Sequence, residues 1–366
     1  MKYRLFPLLL ALLVLSGCSW MKPGDRVSIV PHSEEKNKEN PETVSASTYA
    51  ELLQAVISLV EAGAETGLVY IPEYENERIQ TDLDKVIRYC MTGNPIGAYA
   101  LDSIRYELGA GSGQQAVAVE LDYLHDRSEI RRIRNCRNVD EAREIIAAAL
   151  DACSDSLVLQ IEDYDQTDFI QEVRDFADAN PSVVMELPEV AVGVYPETGS
   201  RRVVELKFTY ETSREVLRSM QTQVRPIFDA AVLYVSGDGG ESEKFSQLFA
   251  FLMERFDYQY GISLTPIYSL LRHGVGDCKA FALVYAAMSS DAGLDCRVVP
   301  GTKNGETWYW NMVCIDGEYY HADLLESAGQ GDLQLLLDAD MAGYVWDYSA
   351  FPQCVASAEN AENSEE

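Results

Sequence analysis

The chain has 366 residues, 47% of them apolar and 10% aromatic, enough to bury cores in two or three domains and too hydrophobic for a disordered polymer. Its 29 Lys and Arg against 59 Asp and Glu leave a formal charge of −30, which excludes a broad phosphate-neutralising surface and with it nucleic acid as a partner. Only four His occur, with no Cys-x-x-Cys or His-Glu-x-x-His spacing, so neither a metal nor another cofactor is expected and cysteine or carboxylate chemistry remains.

Lys2 and Arg4 form a short positive region, Leu5 to Val14 is nearly all apolar, and Leu15, Ser16, Gly17 and Cys18 follow. This is the pattern of a secretory signal over residues 1–18, too short to cross a ~30 Å hydrocarbon core as a helix. The small residues before Cys18 resemble a bacterial lipobox, which implies lipidation of Cys18 and an acyl anchor on the outer face of a bacterial membrane. Residues 19–45, rich in Ser, Glu, Lys and Asn, are expected to be a flexible tether, and 356–366 a disordered acidic tail.

Residues 47–133 and 138–220 repeat one pattern of elements. Thr48 to Glu51 carries the spacing of a capping box, and Asn138 to Glu141 opens a second helix in the same way. Leu52, Val56, Leu59 and Val60 follow helical spacing, as do Ile145, Ile146 and Leu150. Strand-like Leu68 to Ile71 and Leu157 to Ile161 come next, then helices beginning near Asp82 and Asp168. Each copy closes with a hairpin whose return strand is Val117 to Tyr123 or Val203 to Phe208. The reading is two α-β-α-β-β units. Gly109, Gly111 and Gly113 lie between two strands, so they mark a hairpin turn rather than a phosphate loop. Asp122, His125, Asp126, Arg127, Arg131 and Arg132 read as a solvated helix start.

Residues 225–355 carry the legible chemistry. A glycine turn at Gly274 and Gly276 leads to Cys278, followed by Phe281, Val284, Tyr285 and Met288 at helical spacing and a stop at Gly293. A cysteine in a first turn meets free N–H groups and the positive dipole end, which favour a thiolate, with Asp277 opposing. Strands follow: Cys296 to Val299, an Asn304-Gly305 turn, Trp308 to Ile315, an Asp316-Gly317 turn, and Glu318 to Asp323. If the second turn has two residues, Trp310 opposes Asp323 and Met312 opposes His321, with Trp308, Trp310, His321 and Asp323 on one face.

This order over residues 250–330 resembles the transglutaminase-like (papain-like cysteine) family. The resemblance implies an α+β fold, with a helix packed on an antiparallel sheet after the duplicated units, and a Cys, His and Asp triad that attacks amide or ester carbonyls. Residue by residue, Cys278 falls on the nucleophile and Asp323 on the acid that orients the base. The family's histidine position is Trp308, in the string Trp308, Tyr309, Trp310, Asn311. Position 308 lies diagonal to Asp323, as a triad needs, yet indole accepts no proton. His321 lies four residues along the paired strand, ~13 Å from the required place at ~3.3 Å per residue. His273, five residues before Cys278, is the other candidate substitute base.

Three functions follow. The first is a membrane-anchored, catalytically impaired protein that grips peptide or cell-wall material through cleft aromatics Trp308 and Trp310. The second is an active cysteine hydrolase or acyl transferase with a relocated base. The third is a surface protein whose repeats do the binding. Among the other six cysteines, with 15 full pairings open, Cys296 and Cys314 are the candidate pair.

Overall fold

The computed structural model describes residues 44–111, 114–235, 237–261 and 263–355. The signal segment, Cys18, residues 19–43 of the tether and the acidic tail 356–366 lie outside the described residues. Among the described residues no helix is long and apolar enough to cross a membrane.

The first unit comprises β1 (Val44–Ser45), α1 (Tyr49–Glu61), β2 (Thr66–Tyr70), α2 (Ile79–Thr92), α3 (Pro95–Ala100), β3 (Leu101–Gly111) and β4 (Gln114–Tyr123). The capping box forms: the Thr48 hydroxyl accepts from the Glu51 amide at 3.3 Å and the Glu51 carboxylate accepts from the Thr48 amide at 3.2 Å. A short α4 (Arg127–Ile130) leads to the second unit, β5 (Arg134–Cys136), α5 (Val139–Asp151), β6 (Ser156–Ile161), α6 (Phe169–Ala179), β7 (Glu189–Tyr195) and β8 (Arg202–Thr209). Asn138 caps α5 through the Glu141 amide at 3.0 Å.

Both units have the same sheet, ordered β1-β2-β4-β3 and β5-β6-β8-β7. In each the first pair is parallel and the other two are antiparallel. Each unit is therefore β-α-β-α-β-β, one edge strand more than its sequence pattern showed. Val44 and Ser45 belong to that strand and not to the tether, and Ala46 continues its pairing by donating to Tyr70 O at 2.8 Å. Strands of two or three residues have no period to read and exist through backbone pairing alone. The first unit also has α3, begun by Asn94 and Pro95. Leu52, Val56 and Val60 of α1 pack on Val69, Val117 and Val119, and Ile146 and Leu150 of α5 on Leu159, Val204 and Leu206.

The third region comprises α7 (Arg214–Tyr234), α8 (Glu241–Met253), β9 (Asp257–Tyr258), α9 (Pro266–Tyr268), a π-helical turn (Ser269–His273), β10 (Val275–Gly276) and α10 (Cys278–Asp291). It continues with β11 (Cys296–Lys303), β12 (Glu306–Ile315), β13 (Glu318–Ala322), α11 (Leu324–Ala328) and β14 (Tyr344–Trp346). Its antiparallel sheet is ordered β13-β12-β11-β14. Positive φ at Asn304 (54°), Gly305 (86°), Asp316 (51°) and Gly317 (86°) makes both connecting turns the two-residue kind that matches strand twist. Met312 opposes His321 in the resulting register.

Helix α10 covers one face of this sheet, where Val313 and Ile315 pack with Phe281, Val284, Tyr285 and Met288. The Asn311 side chain donates to Ala282 O at 2.9 Å across that contact. Val299, Trp310 and Met312 face the other way, beneath Met341, Tyr344, Trp346 and Cys354. The C-terminal segment thus supplies both an edge strand and a cover. Gly301 permits this closeness: a Cβ there would stand 2.4 Å from Val345 O. Cys296 and Cys314 do not pair. Cys296 opposes Val313, while the Cys314 amide donates to Asp295 O at 2.9 Å, so neighbouring register positions send the two thiols to opposite faces, and both are free.

Tyr285 is fully buried and its hydroxyl donates to Phe245 O at 2.8 Å, pinning α10 to α8. Tyr285→Phe is expected to cost about 1 kcal/mol, read as a lower urea midpoint with an unchanged denaturant slope.

Candidate functional site

Gly274, at φ 84°, closes the π-helical turn. The chain then pairs briefly with β9 and enters α10, where Asp277 accepts from the Ala280 amide at 2.8 Å. Cys278 is the first residue of the helix and lines a groove of about 810 Å³ with Tyr258, Tyr260, Glu306, Trp308 and Tyr309. Burial pushes the Cys278 thiol up from its ordinary pKa, and the charges of Asp277 and Asp323 add to that, against amide hydrogens of Tyr309 and Lys279 that favour the thiolate. The expected dipole-stabilised thiolate is overridden, because removing a sulfur anion from water outweighs two amide contacts.

Asp323 caps α11 and is 2% exposed. Its Oδ1 accepts from the amides of Leu325 at 3.1 Å and Glu326 at 3.2 Å. Its Oδ2 accepts from Tyr344 OH at 2.7 Å, Trp308 Nε1 at 2.9 Å and Lys303 Nζ at 3.1 Å. Position 308 therefore stands beside Asp323, as the strand register requires, and the half-buried indole of Trp308 spans from that carboxylate to the groove. Its ring centroid is 6.0 Å from that of Tyr258, and the Lys303 ammonium sits 5.1 Å from it. Burial works against the Lys303 charge, but Glu326, Tyr344 and Asp323 together raise its pKa.

Three expected site residues stand elsewhere. Trp310 is 1% exposed and is core, not a cleft wall; it shares a face with Trp308, but Tyr344 and Trp346 cover that face at position 310. Its Nε1–H donates to His321 Nδ1 at 3.0 Å. His321 is fully buried, with the Trp346 ring 4.7 Å away and its Nε2 2.9 Å from Asp338 Oδ1. Indole only donates, so Nδ1 must accept and Nε2 carries the proton toward Asp338. Burial lowers the His321 pKa against the pull of Asp338. With both nitrogens committed inside the core, His321 is not a base for Cys278. His273 ends the π-helical turn, exposed and edge-on to Tyr268 at 5.3 Å, and it is not among the described residues lining the groove.

His321, Asp338 and Cys354 bring potential ligand atoms within 4.8 Å of one another. The set does not fit a metal ion. Trp310 directs the imidazole lone pair away from the cluster, and burial pushes the Cys354 thiol up to about 12, whereas a metal needs a free imidazole lone pair and a thiolate. The cluster instead fastens the C-terminal segment to β13, aided by the Asp338 amide donating to Cys354 O at 2.8 Å.

Sequence reasoning missed Lys303, Tyr344 and Tyr258. Lys303 ends the strand before a recognisable Asn-Gly turn, which was a usable signal; Tyr344 and Tyr258 come from segments brought in only by tertiary pairing.

Residues 229–324 match the family model of the transglutaminase-like superfamily. This segment is a transglutaminase-like domain. Among solved structures, a TGase crystal structure aligns at 10% identity over 57% of this chain and 56% of that one, with a TM-score of 0.27. A candidate cysteine protease from Cytophaga hutchinsonii aligns at 14% identity over 43% of this chain and 70% of that one, TM-score 0.26. A candidate protease from Parabacteroides distasonis aligns at 10% identity over 70% and 39%, TM-score 0.24. This chain thus spans little more than half of the TGase structure. No curated relative matches it in sequence.

Asp323→Asn places an amide among five donors and can accept from only one side, so it is expected to cost about 3 kcal/mol of stability, measured by urea unfolding. His321 sets a pH dependence. An unfolded imidazole titrates near ~6.5 and the folded one lower, so as pH falls below ~6.5 the unfolded chain takes up the proton first. This site's contribution is complete above ~6.5 and declines below it, by at most about 1.4 kcal/mol per pH unit. His321→Gln, though less stable overall, should show a flatter dependence of unfolding free energy on pH between about 7 and 5.

Proposed function

We propose that the chain is an exported, lipid-anchored protein whose transglutaminase-like domain has lost efficient acyl chemistry and holds peptide or cell-wall material in the groove beside Cys278. The observation that carries this reading is the 2.9 Å hydrogen bond from Trp308 Nε1 to Asp323. Cys278, Trp308 and Asp323 stand at the positions that the family resemblance assigns to nucleophile, base and acid. An imidazole at 308 would donate one N–H to Asp323 and offer its other nitrogen to the thiol. Indole reproduces the first interaction and has no lone pair for the second. General-base help is worth roughly 10²–10⁴-fold, and the raised thiol pKa adds to that loss.

What remains is suited to gripping. Tyr258, Tyr260, Trp308 and Tyr309 line the groove, and Tyr260 is 87% exposed, so aromatic faces are free to stack on a sugar ring or a peptide side chain. An acyl anchor at Cys18 would hold this groove at the outer face of the membrane, within reach of wall polymers.

Alkylation of the folded chain from about pH 5 to 10, with Cys278→Ala as reference, should place the Cys278 midpoint above the ~8.5 of a free cysteine. A midpoint well below that value would favour an active cysteine enzyme. Trp308→His should lower that midpoint and raise thiol-ester cleavage by about 10²-fold or more; no gain in a folded variant would mean that the loss lies elsewhere. Co-sedimentation with purified cell wall should fall on Tyr258→Ala, and retention at the unmodified level would remove the groove from the binding function.

A further inference from the structure

The charged run after β4 does not behave as one solvated helix start. Asp122 is paired with Arg105 at 2.7 Å, while Asp126 and Glu129 cap α4, Glu129 accepting from the Asp126 amide at 2.8 Å. Arg131 and Arg132, joined by Arg134 of β5, instead line a separate cavity of about 620 Å³ at the edge of β6, which Tyr99 of α3 and His125 also line. The cavity exists because β5 is short. Its pairing with β6 begins at Arg134 opposite Leu159, which leaves the edge of β6 before Leu159 uncovered by a neighbouring strand on that side.

Its apolar lining is Ala148, Ala149 and Ala152 of α5 with Leu157 and Val158 of β6. Arg131, Arg132 and Arg134 make the rest of the lining cationic. Glu205 and Glu129 also line it, but Glu205 is engaged by Lys207 Nζ at 3.2 Å and Glu129 by its cap and by His125 at 3.7 Å. Among the described residues none of the three guanidiniums closes a hydrogen bond or ion pair, Arg132 acting on Asp126 only through its charge. Three unspent guanidinium forks beside an apolar wall, in a chain of net charge −30, have the chemistry of a phosphate site with room for an organic body.

We propose that this cavity binds a small phosphate monoester, its dianionic head held by Arg131, Arg132 and Arg134 and its organic body laid on the Ala148 to Ala152 wall. The site is independent of the groove at Cys278 and stands or falls separately from the function proposed for it.

Calorimetric titration of the full chain at low salt tests this with three probes: phenyl phosphate, inorganic phosphate and poly(glycerol phosphate). Phenyl phosphate should bind at least about tenfold more tightly than inorganic phosphate, because the ring buries apolar surface that the free ion lacks. Arg131→Gln or Arg134→Gln should weaken it about tenfold or more, whereas Arg88→Gln, on α2 of the first unit, should leave it unchanged. All three arginines are exposed, so the variants should fold, as circular dichroism would verify. Equal affinity for phenyl and inorganic phosphate, an equal loss in Arg88→Gln, or no binding at millimolar probe would each overturn the proposal. Tighter binding of the polymer than of phenyl phosphate would overturn it in favour of an extended polyanion.

Discussion

Asp323 accepts hydrogen bonds from five donors: Lys303 of β11, Trp308 of β12, Tyr344 of β14 and the Leu325 and Glu326 amides in the first turn of α11. A carboxylate this deeply buried is tolerable only when its lone pairs are filled. Satisfying it brings three strands and a helix end to one point. The chain from β11 to β14 is organised around that requirement: the two tight turns set the strand register, Gly301 lets β14 approach, and Tyr344 closes the ring of donors. The groove beside Cys278 takes its shape from the same constraint, because Trp308 is both a donor to Asp323 and a wall of the groove.

In the function proposed above, that double role explains how a residue without basicity can occupy the position of the base. Exchanging an imidazole for an indole keeps an N–H directed at the carboxylate and keeps a flat ring against Tyr258, so folding has little to lose. Proton transfer has much to lose, since it needs a lone pair on the far side of the ring. In the function proposed above, the fold therefore tolerates a change that the chemistry does not. His321 illustrates the converse. It can titrate, but Trp310 and Asp338 use both its nitrogens to fasten the C-terminal segment. His321 is thereby a structural residue.

The two N-terminal units show how a duplicated architecture acquires local differences. Their sheets share strand order and polarity, yet α4 and the start of β5 add Arg131, Arg132 and Arg134, whose guanidiniums close no hydrogen bond or ion pair among the described residues. These converge on a cavity opened by the shortness of β5. Elsewhere in the second unit, Arg143 pairs with Glu172 at 2.7 Å and Arg201 with Glu162 at 3.1 Å. The proposed phosphate site thus falls where the repeat pattern is interrupted.

Much of the arrangement was legible in residue order. Helical and alternating spacing located the long elements, the Thr48 and Asn138 caps located helix starts, and Asn304-Gly305 and Asp316-Gly317 set a register that puts position 308 beside Asp323. These signals are local, and local backbone preferences operate wherever the residues are placed. Edge strands of two or three residues, the burial of Trp310, the capture of His321 by Asp338 and the contribution of Tyr344 were not legible. Each depends on which distant segment comes to lie on a given face, and neither period nor turn chemistry encodes that. The amino-acid sequence by itself determined the acidic character, the duplication, the cysteine at a helix start and the indole at position 308. Only the tertiary structure decided which aromatic is a wall and which is core, and that burial pushes the Cys278 thiol pKa up, because burial and desolvation are properties of the assembled environment.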